Sequence, residues 1–378
     1  MNSKSDLTPV SYQKTIYAHF FLQKSLVYIS NNELFLACFN FFGTKMTKNI
    51  QITIPELPTG KLTESHFKLI EGEIPSPREN QVLLKNIMLS IDAANRAWMQ
   101  GATYRQAIEP GDVMHGYGIC SVVDPNGSHF KKGDFVFAEI GWQKYGVIGA
   151  TEITACPEHK PLSHLLSVLG IAGKTAHHGL VQIGKIKEGE TLLVSGAAGS
   201  VGNLVGQIGK LKGAKVIGIA GGQEKCDWLV NEVGFDACLD YKAGKLGKAI
   251  AQTCDKGVDV YFDNVGGNIL QSALFNMNQR GRIVCCGAVS LYDGQSLAGP
   301  VGIPGLIVVK RLKMEGFIVF DFPEKDVEAE NEIKTWIERG ELKIYEDIIT
   351  GLSEAPKALV GLLNGENRGK RMVEVTGI

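Results

Sequence analysis

One stretch limits the folds open to this chain more than any other: Thr191 to Gly202, TLLVSGAAGSVG, where a short apolar run breaks into a turn of small residues and passes into a helical pattern. Such a run reads as a buried strand that hands the chain to a helix N-terminus. The amides and dipole at that terminus can hold a pyrophosphate, and glycines let the backbone approach it. Two positions of a GxGxxG turn are kept, Gly199 and Gly202, while Ala197 stands at the first. Glycines at a strand-to-helix turn also serve sterics alone, so the meaning of this turn depends on its neighbours.

Those neighbours alternate. VIGIA at 216–220, ACLDY at 237–241, VDVYFD at 258–263, RIVCCGAV at 282–289 and EGFIVF at 315–320 are apolar strand candidates, with helical spacing between several of them. The first helix places Val201, Leu204, Val205, Ile208 and Leu211 on one stripe. Strands alternating with such helices predict parallel βαβ units, a sheet covered on both faces. From about Glu64 to Gly149 the texture differs: FKLIEG, QVLLKNIMLS, GYGICSVVD and FVFAEIGWQKYGVI are short strands punctuated by Pro and Gly. After Phe320 a helix candidate, VEAENEIKTWIERGEL, and a last strand, KRMVEVT, send the chain back to the β-rich part. The expectation is an α/β protein with a discontinuous β-rich domain, residues 46–170 and 321–378, and an inserted doubly wound parallel sheet, residues 171–320.

The composition excludes several function classes. With 39 Lys plus Arg against 40 Asp plus Glu in 378 residues, nothing points to a nucleic-acid partner or a polybasic membrane contact, so small molecules are the expected partners. The eight cysteines form no CxxC pair and read as the reduced thiols of a cytoplasmic protein. Residues 1–45 carry apolar runs such as LFLACFNFFG, but none reaches the roughly 18 residues of a membrane span, and the segment lacks the layout of a signal peptide. It is expected to be an extension outside the folded domains.

A dinucleotide turn raises the choice of cofactor. NAD-preferring sites place an acid at the end of the second strand, for the ribose 2'-hydroxyl. Here that place reads Gly221, Gly222, Gln223, Glu224, Lys225. Lys225, and Tyr241 after the third strand, can meet a 2'-phosphate, which favours NADPH; a solvated lysine and a rim aromatic are the plainer readings of the same residues.

GAAGSVG, GIAGGQEK, LDYK, DVYFDNVGG and CCGAVSLYD together give the chain its resemblance to the medium-chain dehydrogenase/reductase superfamily. More narrowly it resembles the zinc-free branch of prostaglandin and leukotriene reductases, curcumin reductases and alkenal double-bond reductases. The resemblance runs from about Leu62 to Val375 and leaves out residues 1–45. It implies a GroES-like β domain with an inserted Rossmann domain, and a homodimer. It also implies NADPH contacts at Gly199, Ser200, Val201 and Gly202 for the pyrophosphate and at Lys225 and Tyr241 for the 2'-phosphate. Further contacts follow at Asn264, along Cys286, Gly287, Ala288, Val289, Ser290, Leu291 and Tyr292, at Phe317, Ile318 and Val319, and at Asn367. For Asn264 and Asn367 turn chemistry is the competing reading; Cys286 reads as an apolar wall.

Zinc-dependent members of the superfamily need Cys, His or acid ligands. Where a ligand cysteine is expected the chain reads SIDAANRAWM, and His115 in HGYG has no following acid, so it reads as a loop histidine. Without a Lewis acid, hydride delivery to the β-carbon of an enone or alkenal is the expected reaction, because its charge spreads into an enolate that needs only a modest donor. Tyr292 is the candidate donor; cofactor packing is its other reading. Family members often carry Pro-Tyr after the aspartate of the SxD motif, but here Ala93 and Ala94 follow Asp92. Tyr104, or apolar walls such as Trp98 and Met99, are then the candidates to face the substrate; packing in the core is the equal reading of these residues. A quinone reductase and a non-catalytic NADPH-binding protein are the alternatives.

Overall fold

The computed structural model describes residues 28–30, 33–35, 48–102, 105–293 and 299–375. The chain divides into two units, Met1–Thr47 and Lys48–Ile378. In the first, β1 (Tyr28–Ser30) and β2 (Glu33–Phe35) pair antiparallel. The rest of the expected 1–45 extension lies outside the described residues, as does Tyr104.

The second unit begins with an antiparallel pair, β3 (Asn49–Thr53) and β4 (Lys68–Gly72). β5 (Gln81–Ser90) follows, then the short helix α1 (Ala94–Ala97), β6 (Gly118–Asp124), β7 (Phe135–Ala138), β8 (Tyr145–Gly149) and β9 (Thr154–Ala155). After α2 (Ile171–His178) the parallel region runs β10 (Thr191–Ser195), α3 (Ser200–Leu211), β11 (Lys215–Ala220), α4 (Gln223–Trp228), β12 (Ala237–Asp240) and α5 (Leu246–Thr253). It continues through β13 (Val258–Asp263), α6 (Gly267–Asn276), β14 (Met277–Cys285), α7 (Ile303–Lys310) and β15 (Lys313–Gly316). The chain then returns through α8 (Asp326–Glu338), β16 (Glu346–Thr350), α9 (Ala355–Leu363) and β17 (Lys370–Glu374).

Among the described residues the parallel sheet has the order β12-β11-β10-β13-β14-β15. This is the Rossmann arrangement, with the strand order reversing between β10 and β13, where ligands bind beyond the carboxyl ends of the strands. All five residues of β10 are buried, because helices cover both faces. Leu192 and Val194 join the core with α3, whereas Leu193 joins the opposite core with Ile217, Ile219 and Tyr261. That division follows from the period of two along a strand. Each such side chain contributes roughly 1.5–3 kcal/mol on burial. The other large sheet has the order β16-β17-β5-β6-β7-β9, with β8 also on β5. Its strands come from both sides of the parallel region, and β17 pairs antiparallel with β5.

Two strand expectations change. EGFIVF is expected to continue to Phe320, yet β15 ends at Gly316. Its partner β14 ends at Cys285, opposite Gly316, so no ladder exists beyond that point. For the same reason RIVCCGAV stops at Cys285, while β14 starts earlier, at Met277. The residues released from both strands, Cys286 onward and Phe317 onward, wall a cavity.

Candidate active site

The turn after β10 is shaped by contacts a side chain would break. Gly196 has φ +57°, in the left-handed region that glycine adopts freely. A Cβ on Gly202 would collide with the Gly196 carbonyl oxygen and lie 2.8 Å from the Ala197 Cα. Ala197 is tolerated because Gly218 of β11 lies beneath it: a Cβ on Gly218 would come within 3.0 Å of the Ala197 methyl. At the start of α3 the first amides have no intrahelical acceptor, and the Ser200 hydroxyl is buried without a hydrogen-bond partner. A cradle that tolerates no Cβ, facing amides and an orphaned hydroxyl, fits a pyrophosphate. The turn Gly365–Gly369 closes its side, the Gly369 N–H donating to the Ala198 carbonyl at 2.9 Å.

The second strand ends at Ala220 without an acid, and the nearest carboxylate, Asp240, is taken up by backbone. It accepts from the Gly222 N–H at 2.8 Å and the Lys242 N–H at 2.9 Å. Glu224, the one acid in the loop, is ion-paired with Arg368. Lys225 donates to the Gly365 carbonyl at 2.6 Å and the Asn367 carbonyl at 2.5 Å. Burial, together with the cations of Arg368, Arg371 and Lys242, pushes Lys225 down to about 8. Cations crowded enough to depress the Lys225 pKa fit a dianionic 2'-phosphate. Tyr241 is exposed and stands against Gly221, where a Cβ would lie 2.9 Å from its ring. Arg368 and Lys242 were missed by sequence reasoning, although the LDYK segment that carries Lys242 was one of the motifs. Asn367 reaches Lys225 through its backbone; its side-chain amide donates to the Gly369 carbonyl at 2.9 Å.

At the strand ends the loops after β13 and β14 are laced together. The Asn264 side chain donates to the Ser195 carbonyl at 2.7 Å, and its backbone N–H donates to the Ser195 hydroxyl at 3.0 Å. The Val289 N–H donates to the Asn264 carbonyl, and the Ser290 hydroxyl donates to the Val265 carbonyl at 2.6 Å. This lacing fixes Gly287 to Leu291 and presents Tyr292.

Cys286, Tyr292, Phe317, Ile318 and Val319 meet at a cavity of about 550 Å³. Ala94, Ala97, Trp98 and Gln100 form another wall, with Ile171 and Thr175 of α2 and Phe320. Gly199 to Gly202, Lys225, Tyr241 and Asn367 are not in this lining. The Trp98 ring is backed by the Arg105 guanidinium, 4.2 Å from its centroid, and Arg105 is ion-paired with Glu139. Met99, for which substrate wall and core residue were both expected, is buried in the core around β17 and α9 that Trp98 also joins, and only Trp98 lines the cavity. The hydroxyl oxygen of Tyr292 accepts from the Ala288 N–H at 3.2 Å, and its carbonyl accepts from Gln100 Nε2 at 2.8 Å. Burial, and then the Asp263 carboxylate, push the Cys286 thiol up to about 12, so at neutral pH it is an uncharged wall. The His115 carbonyl accepts from Asn95, and burial lowers the His115 pKa. Among the described residues no group of three or more His, Cys, Asp or Glu side chains is placed to hold a metal ion.

The comparisons agree with this architecture. Residues 50–156 match a family model described as the N-terminal domain of oxidoreductase, and residues 200–335 match one described as zinc-binding dehydrogenase. The NADPH-dependent curcumin reductase of Escherichia coli is 38% identical over 89% of this chain and 99% of that protein. The 2-alkenal reductase (NADP(+)-dependent) of Nicotiana tabacum is 37% identical over 87% of this chain and 98% of its own length. The crystal structure of CurA in complex with NADPH from Vibrio vulnificus superposes with a TM-score of 0.82 at 38% identity, covering 87% of this chain and all of that one. The chain belongs to the medium-chain dehydrogenase/reductase superfamily. Within it, its relatives are the curcumin, prostaglandin and 2-alkenal reductases of the zinc-free branch.

Proposed function

We propose that this chain is an NADPH-dependent oxidoreductase that reduces the carbon–carbon double bond of α,β-unsaturated aldehydes and ketones. The observation that carries the reading is the cavity itself. Its walls are mostly apolar, and among the described lining residues one phenol, Tyr292, stands on the loop that leads from the strand ends to the substrate side. Bound NADPH would supply a hydride for the β-carbon. The chain's own residues do the rest. The amides of Ser200 to Gly202 would hold the pyrophosphate, and Lys225, with Lys242, Arg368 and Tyr241, would hold the 2'-phosphate. The apolar walls around Trp98 and Phe317 exclude water, which strengthens any donor acting there. Tyr292 donates to the carbonyl oxygen as it gains enolate charge. The Ala288 N–H on the phenol oxygen polarises the hydroxyl and makes it a better donor. Cys286, neutral, shapes the wall, and the α-carbon takes its proton from solvent.

Support for this reaction over a generic dehydrogenase comes from relatives named for curcumin and 2-alkenal reduction. Steady-state NADPH oxidation with an alkenal, a cyclic enone, a simple ketone and a benzoquinone tests it. Turnover of the alkenal or the enone, with the ketone inert, is expected; turnover of the quinone alone overturns the reading in favour of a quinone reductase. In Tyr292→Phe, kcat is expected to fall roughly a hundredfold, with the NADPH dissociation constant nearly unchanged. A cytoplasmic location is part of the same proposal and rests on the described cysteines, which are all free thiols.

A further inference from the structure

Two of those thiols meet. Asp240 and Cys238 lie two residues apart on β12 and therefore share a face. Asp240 receives the Gly222 N–H at the head of α4, so this is the face that α4 covers. One turn into α4 is Cys226, whose N–H donates to the Gly222 carbonyl at 3.3 Å. The Cys238 thiol donates to the Cys226 sulfur across 2.8 Å. A covalent S–S bond is about 2.0 Å long, so the sulfurs need to close by only about 0.8 Å. Cys226 is buried, whereas Cys238 keeps part of its surface open.

Cys226 also differs chemically from the other described cysteines, Cys238 included, whose pKa is raised by its hydrogen bond to Cys226 and by burial. Burial pushes Cys254 and Cys285 up to about 11 and Cys156 and Cys286 up to about 12, and it raises Cys120 further. The hydrogen bond from Cys238 holds Cys226 below the ordinary thiol value. Thiolate character governs reaction with peroxides.

We propose that Cys226 and Cys238 are a modification site, which a hydroperoxide oxidises to an intramolecular disulfide and a dithiol restores. The Cys226 thiolate attacks the peroxide oxygen. The O–O bond breaks, the hydroxyl passes to the sulfur so that Cys226 becomes a sulfenic acid, and the leaving alkoxide departs as an alcohol with the proton that the Cys226 thiol released to solvent on becoming the thiolate. The Cys238 sulfur then attacks the Cys226 sulfur; the S–O bond breaks, and hydroxide leaves with the Cys238 proton as water. Two thiols lose two electrons, and the peroxide is reduced to alcohol and water.

The bond ties α4 to the edge strand of the sheet. Lys225 immediately precedes Cys226, and Tyr241 follows Cys238 by three residues. On the NADPH reading above, closure displaces the groups around the 2'-phosphate, and a displacement on the ångström scale raises the KM for NADPH roughly tenfold.

No Lys or Arg lies between Cys226 and Lys242, so a single tryptic peptide, residues 226–242, carries both cysteines. After the reduced full chain is exposed to stoichiometric hydrogen peroxide, that peptide is expected to be two hydrogens lighter and to resist alkylation. Dithiothreitol restores both alkylation sites. In Cys238→Ser, a sulfenic acid trapped by dimedone on Cys226 replaces the bond. Two alkyl groups on the peptide after peroxide, or a sulfinic acid on Cys226 beside an alkylated Cys238, overturn the proposal. KM for NADPH is measured on protein whose peptide carries the bond; an unchanged value overturns the link to the cofactor. If the reduced protein binds no NADPH, the cofactor reading fails while the peptide result stands.

Discussion

Lys225 carries the clearest consequence at the scale of single residues. Its ammonium is charged below its pKa, which burial and three neighbouring cations push down to about 8, and is neutral above it. A 2'-phosphate meets the charged form. NADPH affinity is therefore expected to fall as pH rises through about 8, while NADH affinity, which does not need the ammonium, stays level. Lys225→Ala should raise the KM for NADPH roughly tenfold or more, with little change for NADH, and should flatten that pH dependence. Equal effects on the two cofactors would remove the phosphate contact. Lys225 was legible because the second strand ends in glycines with no acid to claim the ribose. Arg368 was not, since its approach depends on the C-terminal turn folding back against α4, a contact between segments far apart along the chain. Tyr292 could be placed by motif, but the N–H that polarises it comes from Ala288 through a loop geometry that spacing does not reveal.

At the scale of elements, α3 and the strands β10 to β13 follow their periodicity closely, because apolar pattern and burial coincide where helices cover both faces of a sheet. The ends of β14 and β15 do not follow it, since a strand stops where its neighbour stops, whatever its own hydropathy. The helix α7 is the informative exception. IPGLIVVK is apolar up to its closing Lys310, yet Val308 and Val309 are 73% and 70% exposed. The adjacent strand β15 is the edge of the parallel sheet among the described residues. An apolar helix beside an open edge supports the proposal of a homodimer joined there. Light scattering on the eluting protein should give twice the chain mass, and Val308→Asp with Val309→Asp should give the single chain, still folded by circular dichroism. A wild-type monomer at assay concentration rejects the dimer.

For the whole molecule, a buried ion pair joins the loop of Tyr292 to the β-rich part of the chain. Arg96, 1% exposed on α1, pairs with Asp293 at 3.3 Å, and Asp293 also accepts from the Leu62 N–H at 2.6 Å. Gln100 holds the Tyr292 carbonyl beside it. The loop that carries the proposed donor is thus anchored to the β-rich domain next to Trp98. Removing one partner of a buried ion pair strands the other charge. Asp293→Asn is expected to lower unfolding free energy by about 3 kcal/mol, read by urea denaturation, and to lower kcat more than it raises the KM for NADPH. An unchanged denaturation midpoint would mean that the pair does not hold the domains. By itself the sequence determined the parallel αβ layout, the tight strand-to-helix turn after β10 and the preference for a phosphorylated cofactor, because each is written within a short segment whose spacing matches a repeating backbone geometry. Only the tertiary structure decided where β14 and β15 end, which cations surround Lys225, which side chains wall the cavity, and that Cys226 meets Cys238. Those features are distances between segments separated in sequence, and they are set by packing that local pattern does not encode.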